Sequence, residues 1–533
     1  MPEGRGRARI PPSQLLPVLG VPPVQLGFVI DHTQCIGCHA CTVACKSEND
    51  VPLGDFRTWV KYTEDGEFPD VRRSFAVLRC NQCTDAPCMD ICPVTALDKL
   101  DNGIVDLDKD LCIGCKACMH GCPYDALYLN EQTGTAEKCH FCAHRVEVGL
   151  APACAVVCPT EAIIPGDFDD HESVVSRMTR EFDLSVRKEE AGTKPNVRYR
   201  NVSKSGIEPG LTNKSGGYIW SNPQGGAQMD AQAFEAAERK AQGKPDLART
   251  TYDVPRKTLW GSKITDYLFT KSMAGGIFPV ALAVHLMHGK GAEIGVMPAI
   301  ASFIALSICL LLLIFDLKRP ERFFTILTRP NWKSWLAKGS YVILAYHILL
   351  TAWIGWSLFS SEGPSATAFA GPIVFFGGFT ACYTAWLFGQ AKGRVLWMRR
   401  HLWIHLIIQA GLAGSAFLAV VAPLADWDAP MVSTLTSFFI GFLALHLGFT
   451  LIEDKLAPKN REREYERVSR LLTHGPFRKQ HWVGGVALGI VLPVALLITP
   501  ISAGLPLAGL CALGGLRMIE DAFVKAAQAL PIS

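Results

Sequence analysis

Sixteen of the nineteen cysteines fall between Cys35 and Cys158, in four runs of four. Cys35, Cys38, Cys41 and Cys45 are spaced C-x2-C-x2-C-x3-C. Cys80, Cys83, Cys88 and Cys92 are spaced C-x2-C-x4-C-x3-C and precede Pro93. Cys112, Cys115, Cys118 and Cys122 repeat the first spacing before Pro123, and Cys139, Cys142, Cys154 and Cys158 precede Pro159. A 4Fe–4S cube takes four thiolates, one per iron, and three closely spaced cysteines wrap one side of it while backbone N–H groups face the sulfurs. In two-cluster ferredoxins the fourth cysteine of each run, the one before proline, ligates the other cluster. Four runs therefore supply two pairs of cubes. Zinc favours two C-x-x-C knuckles set apart by a longer loop, and disulfides suit small secreted domains. Neither explains a spacing that recurs.

The elements that position these cysteines occupy less than half of the chain. At 533 residues it is too long for one domain. A net charge of +3 gives no reason to expect nucleic acid as a partner. Hydrophobic residues make up 49% but are concentrated in the second half, in repeated apolar runs of bilayer-spanning length. The expected fold is a duplicated ferredoxin-like α+β module followed by an all-α polytopic membrane bundle. Phe28–Ile30, Phe75–Leu78, Ile104–Leu107 and Ala126–Leu129 read as strands beside the cysteine loops. The stretch after Pro159 reads as strand, turn and a short helix capped at Asp170. Residues 192–200 read as the close of the module.

Four divisions follow: an N-terminal arm (1–27), the iron–sulfur domain (28–200), a linker (201–262) rich in Gly, Ser, Asn and Pro, and a membrane domain (263–533). The arm carries Arg5, Arg7 and Arg9, but Pro12, Pro17, Pro22 and Pro23 break its apolar stretch, so an export signal is not expected there. Eight spans are predicted: Tyr267–Met287, Val296–Phe315, Trp335–Leu358, Phe369–Phe388, Leu402–Ala422, Met431–Leu451, Trp482–Thr499 and Leu505–Ile519. The eighth is short, and Arg517, Asp521 and Lys525 share one face of it, so seven is the alternative count. Gly275–Gly276 and Gly377–Gly378 suit close helix packing, and Cys309, Cys382 and Cys511 read as core thiols.

Residues 28 to about 200 resemble the four-cluster ferredoxin subunit of the DMSO reductase and polysulfide reductase family of complex iron–sulfur molybdoenzymes. The segments "DHTQCIGCHACTVACKSEN", "LRCNQCTDAPCMDICPVTAL", "DKDLCIGCKACMHGCPYDA" and "EKCHFCAHRVEVGLAPACAVVCPTEAI" carry the resemblance. It implies that one cluster takes Cys35, Cys38, Cys41 and Cys158, and a second Cys139, Cys142, Cys154 and Cys45. A third would take Cys80, Cys83, Cys88 and Cys122, and a fourth Cys112, Cys115, Cys118 and Cys92. Relatives that carry a 3Fe–4S cluster lack a cysteine in the third run; this chain keeps Cys115, so four 4Fe–4S clusters are implied. The second half resembles the NrfD/polysulfide reductase membrane subunits through "YLFTKSMAGG" and "DLKRPERFFTILTRPNWKSWLAKG". That resemblance implies a quinone or quinol, menaquinone or ubiquinone, bound near the ferredoxin side within the first four spans.

Ionisable groups inside spans are costly and mark candidate sites. A quinone head group needs a donor at each carbonyl and a route for protons, which point to Lys271, Asp316 and His347 as its candidate contacts. Lys271 snorkelling to the interface, and His285, His405 and His446 as packing residues, are the structural alternatives. Loops on the ferredoxin side hold seventeen basic residues against Lys290 alone on the other. The positive-inside rule places the iron–sulfur module in the cytoplasm of a bacterium, on the inner membrane. A periplasmic module, exported by a partner's signal, is the alternative if those loops are basic because they dock it.

Together these features imply an electron-transfer and membrane-anchor subunit of a respiratory oxidoreductase. It would link the quinone pool to a catalytic subunit of molybdopterin type, and within this chain only the quinone step would take place. A proton-translocating complex, using His405, His446 and Glu453 as a relay, is one alternative. A hydrogenase or cytochrome partner is another.

Overall fold

The computed structural model describes residues 24–214, 227–243, 248–254, 257–290, 294–359, 366–425, 427–499 and 503–533. Strand Leu26–Asp31 forms the middle of a three-stranded sheet, antiparallel to Ile163–Asp167 and parallel to Val197–Arg200. Phe28, Val29 and Ile30 are all fully buried, as a strand covered on both faces requires. Thr58–Asp65 and Arg72–Arg79 pair antiparallel in a second sheet. The Cys92–Pro93 and Cys122–Pro123 turns each lead into a short hairpin, Leu97–Lys99 with Val105–Leu107 and Leu127–Asn130 with Thr135–Lys138. The duplication visible in the cysteine spacing is thus repeated in the backbone.

Three expectations need correction. The 201–262 stretch is more than a connection: Thr212–Lys214 and Ala248–Tyr252 pair with each other, and Ala248–Tyr252 continues the sheet at Thr58–Asp65. Composition marks turns but says nothing of a distant edge strand with unpaired backbone groups, and that edge recruits Arg-Thr-Thr-Tyr. The arm ends earlier than expected, because Leu26 and Gly27 already belong to the first strand; residues 1–23 lie outside the described residues. The short helix Val174–Glu181 is capped by Ser173, whose Oγ accepts from Ser176 N at 3.2 Å. Asp170 instead closes the preceding turn, accepting from Glu172 N at 2.9 Å.

Among the described residues, seven helices are long and apolar enough to cross a membrane: Ser262–Met287, Met297–Asp316, Trp335–Phe359, Phe369–Gln390, Leu402–Leu424, Ala429–Lys455 and Lys479–Ile498. They are termed the first to seventh spans. An eighth helix, Gly504–Ala526, packs against the fifth and seventh and carries Arg517, Glu520, Asp521 and Lys525 in its second half. Gly276 brings the first and fifth spans together, since a Cβ there would stand 1.8 Å from the Ala410 carbonyl oxygen. Gly275 and Gly377 meet at the crossing of the first and fourth spans, whereas Gly378 faces open space. The seventh span opens as a π-helix, Lys479–Val491.

The ferredoxin module sits on the N-terminal ends of the first, third and fifth spans. Asn331 Nδ2 donates to Cys92 O at 2.8 Å and Met89 O at 3.1 Å, and Ser334 Oγ to Ile91 O at 2.7 Å. Gly393 N donates to His120 O at 2.9 Å. Lys318 pairs with Glu131 at 2.8 Å, and Arg319 Nη1 donates to Lys109 O at 2.9 Å. Part of the basic character of these loops is therefore docking surface.

Candidate cluster sites and a cavity at the membrane junction

The cysteine loops share one backbone device. Gly37, Gln82, Gly114 and Phe141, each just before the second cysteine of its run, have φ of 72°, 44°, 70° and 57°. His39 and Lys116, just after the second cysteine of the two C-x2-C-x2-C runs, are left-handed as well, at 61° and 65°. Left-handed backbone is costly for residues other than glycine. Here it turns successive N–H groups inward, forming the nests that receive anions and iron–sulfur clusters. Thr95, Asp125 and Glu161, the third residue after Cys92, Cys122 and Cys158, repeat a second kink at 51°, 52° and 53°. Lys46 stands where those runs have proline, and there the chain continues as helix to Glu48.

The thiols assemble in sets that cross between runs. Burial is the main cause raising the Cys35 thiol, and Cys158 and Cys38 add to it. Burial likewise raises Cys45, with Cys139, Cys154 and Cys142 as its thiol neighbours. Cys88 is raised by burial and then by Cys122, Cys80 and Cys83. Cys115 is raised by burial and then by Cys92 and Cys112. Cys41, raised to about 11 by burial, also feels Cys154 and Cys35, so the first two sets adjoin; Cys118 feels Cys88, so the last two do.

Buried donors around these sets lack partners among the described residues: Arg79 Nε and Nη2, Asn81 Nδ2, Thr42 Oγ1 and His120 Nε2. Each belongs to a residue one or two positions from a cysteine. Unsatisfied buried polar groups are rare, and inorganic sulfides are acceptors that would satisfy these. The residues fit iron–sulfur clusters, whose chemistry when bound is one-electron transfer.

An apolar cavity of about 340 Å³ lies where the module meets the first four spans. Cys115 forms part of its wall, with Trp260 just before the first span, Ile264 and Tyr267 at its start, Phe323 and Phe324, and Tyr383 and Thr384 from the fourth. Its size and its few polar groups suit a small ring ligand. Of the three candidates, Asp316 and His347 line it. Asp316 pairs with Lys116 at 2.8 Å, tying the wall to the residue after Cys115. His347 Nε2 meets Ser307 Oγ at 3.1 Å. Lys271 lies behind the wall: it is fully buried, and its Nζ donates to Ala381 O at 2.9 Å and to Thr384 Oγ1. It does not snorkel. The Tyr267 and Tyr383 hydroxyls are hydrogen-bonded to each other. Nothing in the sequence marks Trp260, Tyr383 or Thr384 for this role, since a lone tyrosine in an apolar helix carries no signal for it. A polar cleft of about 540 Å³ at the junction shares Asp316 and Leu317 with the apolar cavity.

A second polar group lies among the later spans. His405 Nε2 meets His446 Nδ1 at 3.0 Å, Arg399 Nη2 meets His405 Nδ1 at 2.6 Å, and Arg399 pairs with Glu453 at 2.6 Å.

Known proteins match this arrangement in two blocks. A profile of the 4Fe-4S dicluster domain matches residues 71–168, and one of polysulphide reductase, NrfD, matches residues 251–520, half of the chain. A tetrathionate reductase subunit of Salmonella typhimurium is 40% identical over 194 residues, 36% of this chain and 78% of the relative. A polysulfide reductase chain of Wolinella succinogenes is 38% identical over 185 residues, covering 34% of this chain and 97% of the relative. The arsenate respiratory reductase iron-sulfur subunit of a Shewanella species is 35% identical over 224 residues, 33% of this chain and 96% of the relative. The cysteine runs, the nests that serve them and the bundle beneath them identify the chain as a member of the NrfD polysulphide reductase family, with a 4Fe–4S ferredoxin module of the reductase iron–sulfur subunits joined ahead of the membrane domain.

Proposed function

We propose that this chain is the electron-transfer and membrane-anchor subunit of a respiratory oxidoreductase. It carries electrons between the quinone pool and a catalytic subunit of molybdopterin type, through four 4Fe–4S clusters. The observation that carries the proposal is Cys115 in the wall of the apolar cavity: one cysteine set borders the place where a lipid-soluble ring ligand would sit. The crossed thiol neighbourhoods support four clusters, each with three ligands from one run and one from another. Quinone reduction takes up two electrons and two protons. Tyr267, Tyr383, Asp316 and His347 supply polar contacts in an otherwise apolar wall.

The opposite end supports a partner. Cys38 is exposed, and Ile36, Val43, Val148, Leu150 and Val156, beside the first two cysteine sets, are all more than half exposed. Exposed apolar side chains grouped in this way mark interaction surface, and a catalytic subunit docked there would meet the outermost cluster.

The ferredoxin module is proposed to face the cytoplasm. Six of the seventeen basic loop residues engage the ferredoxin module or the 201–262 stretch: Lys318, Arg319, Lys392, Arg394, Arg467 and Arg470. The eleven left still outnumber Lys290 in the opposite loops.

The test is anaerobic isolation with iron analysis, paramagnetic resonance and electron delivery to an added menaquinone analogue. Sixteen iron atoms per chain and four reducible clusters are expected. Cys115→Ser should leave the outer clusters reducible by a dye and slow electron delivery to quinone by more than about tenfold, a barrier change of about 1.4 kcal/mol. Unchanged quinone reduction in that variant would refute the assigned order, and absence of molybdenum from the co-purified complex would refute the partner class.

A further inference from the structure

Two cationic side chains are buried where neighbouring cysteine sets adjoin. Arg79 is 0% exposed, its Nη1 donates to Cys154 Sγ at 3.2 Å, and its guanidinium lies 4.5 Å from the centre of the Phe28 ring. Its electrostatic neighbours are Cys154 and Cys139 of one set and Cys41 of the next. Lys138 is 3% exposed, and its Nζ donates to Cys139 O at 3.0 Å and to Val105 O. Its neighbours are Cys80 and Cys88 on one side and Cys139 on the other. Asp106 acts on Lys138 only at longer range, and among the described residues no carboxylate lies within ion-pair distance of either cation.

A buried charge without a counter-charge is strongly destabilising. Two such cations placed between cysteine sets therefore have their compensation in what the sets hold. Two effects follow from Coulomb's law in a medium of low dielectric. Reduction makes a cluster more negative, so a nearby cation favours the reduced form and raises its potential. A cation between two clusters also offsets the repulsion between electrons resident on both.

We propose that Arg79 and Lys138 are bridging cations, one between the Cys35 and Cys45 clusters and one between the Cys45 and Cys80 clusters, that let adjacent clusters hold electrons at the same time. This rests on the proposal that the four cysteine sets bind clusters. Both residues act through the clusters without contacting quinone, and they are positioning residues in that sense. A chain of carriers with such cations stores more than one electron, which matches one-electron carriers to a two-electron substrate.

The test is a redox titration of the anaerobic full chain followed by paramagnetic resonance, with iron counted in every sample. Arg79→Gln should lower the potentials of the first two clusters by at least about 59 mV, a tenfold change in a one-electron equilibrium, and leave the Cys112 cluster unmoved. Lys138→Met should lower the Cys45 and Cys80 clusters and spare the Cys35 cluster. Arg79→Lys should recover part of the loss. Spin coupling between the first two clusters should appear only at lower potential in Arg79→Gln. Full iron with unmoved potentials, or an equal shift of all four clusters, would overturn the proposal. Iron lost from both variants and restored by Arg79→Lys and Lys138→Arg would make these assembly residues and overturn it as well. Fewer than sixteen iron atoms in the unaltered chain would instead sink the four-cluster reading on which it stands.

Discussion

At the residue scale, Arg57 and Glu137 show how the module holds a buried charge pair beside the Cys45 set. Glu137 is almost fully buried, pairs with Arg57 at 2.8 Å and Lys109 at 2.6 Å, and accepts from Tyr128 Oη at 2.5 Å. Burial opposes its ionisation, but hydrogen bonds from Lys109, Tyr128 and Arg57 outweigh it and hold the carboxyl at about 2. The folded value lies below the ordinary 4.5, so the stabilisation is complete above pH 4.5 and is lost as pH falls towards 2. His32 adds to the same trend at a higher pH. Burial lowers it to about 4, so the unfolded chain takes up a proton first and stability falls between pH 6.5 and 4. The expected outcome is progressive bleaching of cluster absorbance on acidification through both windows. Glu137→Gln should cost about 3–5 kcal/mol near neutral pH, because Arg57 is left buried and uncompensated, and should flatten the lower window. The cysteines were legible because ligand spacing is local. Arg57, Glu137 and Arg79 were not, since nothing in sequence marks residues so far apart as partners.

At the scale of elements, the seam between module and bundle is built from backbone approaches as much as from charge. A Cβ on Gly393 would lie 2.5 Å from Cys122 O and 2.8 Å from His120 O, so any side chain there must lift the module. Gly393→Val is expected to keep sixteen iron atoms while slowing electron delivery to quinone by about tenfold or more, measured against dye reduction of the same sample. Unaltered delivery would mean that the seam is not what aligns the Cys115 cluster with the cavity. Helix spans and the strands flanking the cysteines could be read from apolar length and alternation. The Ala248–Tyr252 strand could not, because its order comes from pairing with Thr58–Asp65, far off in sequence. Nor could the cavity, whose wall draws on Cys115, Trp260 and Tyr383 from three separate stretches.

At the scale of the whole molecule, the depth of the buried ionisable groups decides which side supplies protons. His405 lies at the start of the fifth span, Glu453 at the end of the sixth, His481 at the start of the seventh and Glu520 near the end of the eighth helix. All four positions are at the ferredoxin end of the bundle. Lys271 is deeper, nine residues into the first helix, or about 14 Å at 1.5 Å per residue. A small cavity of about 20 Å³ is lined by Arg399, His405, Gln409, Glu453, His481 and Glu520. Both ring nitrogens of His481 and both carboxyl oxygens of Glu520 lack partners among the described residues, and the cavity is large enough for a water that would satisfy them. Towards the other membrane face, His285 is the one buried Asp, Glu, Lys, Arg or His among the described residues, and its Nδ1 rests 2.8 Å from Ala281 O. Among the described residues, the His405–His446–Glu453 group therefore has only His285 as a buried ionisable counterpart towards that face. Protons for the quinone step are expected to exchange at the ferredoxin face, through this network or past Asp316 from the polar cleft. In proteoliposomes with the clusters facing outward, quinone reduction should alkalinise the outer medium with no change inside. Glu520→Gln should slow the step about tenfold if the network carries the protons, whereas Asp316→Asn should do so if the cleft does. Proton uptake from the lumen, coupled to the same turnover, would show a path that the described residues do not contain and would restore the pump.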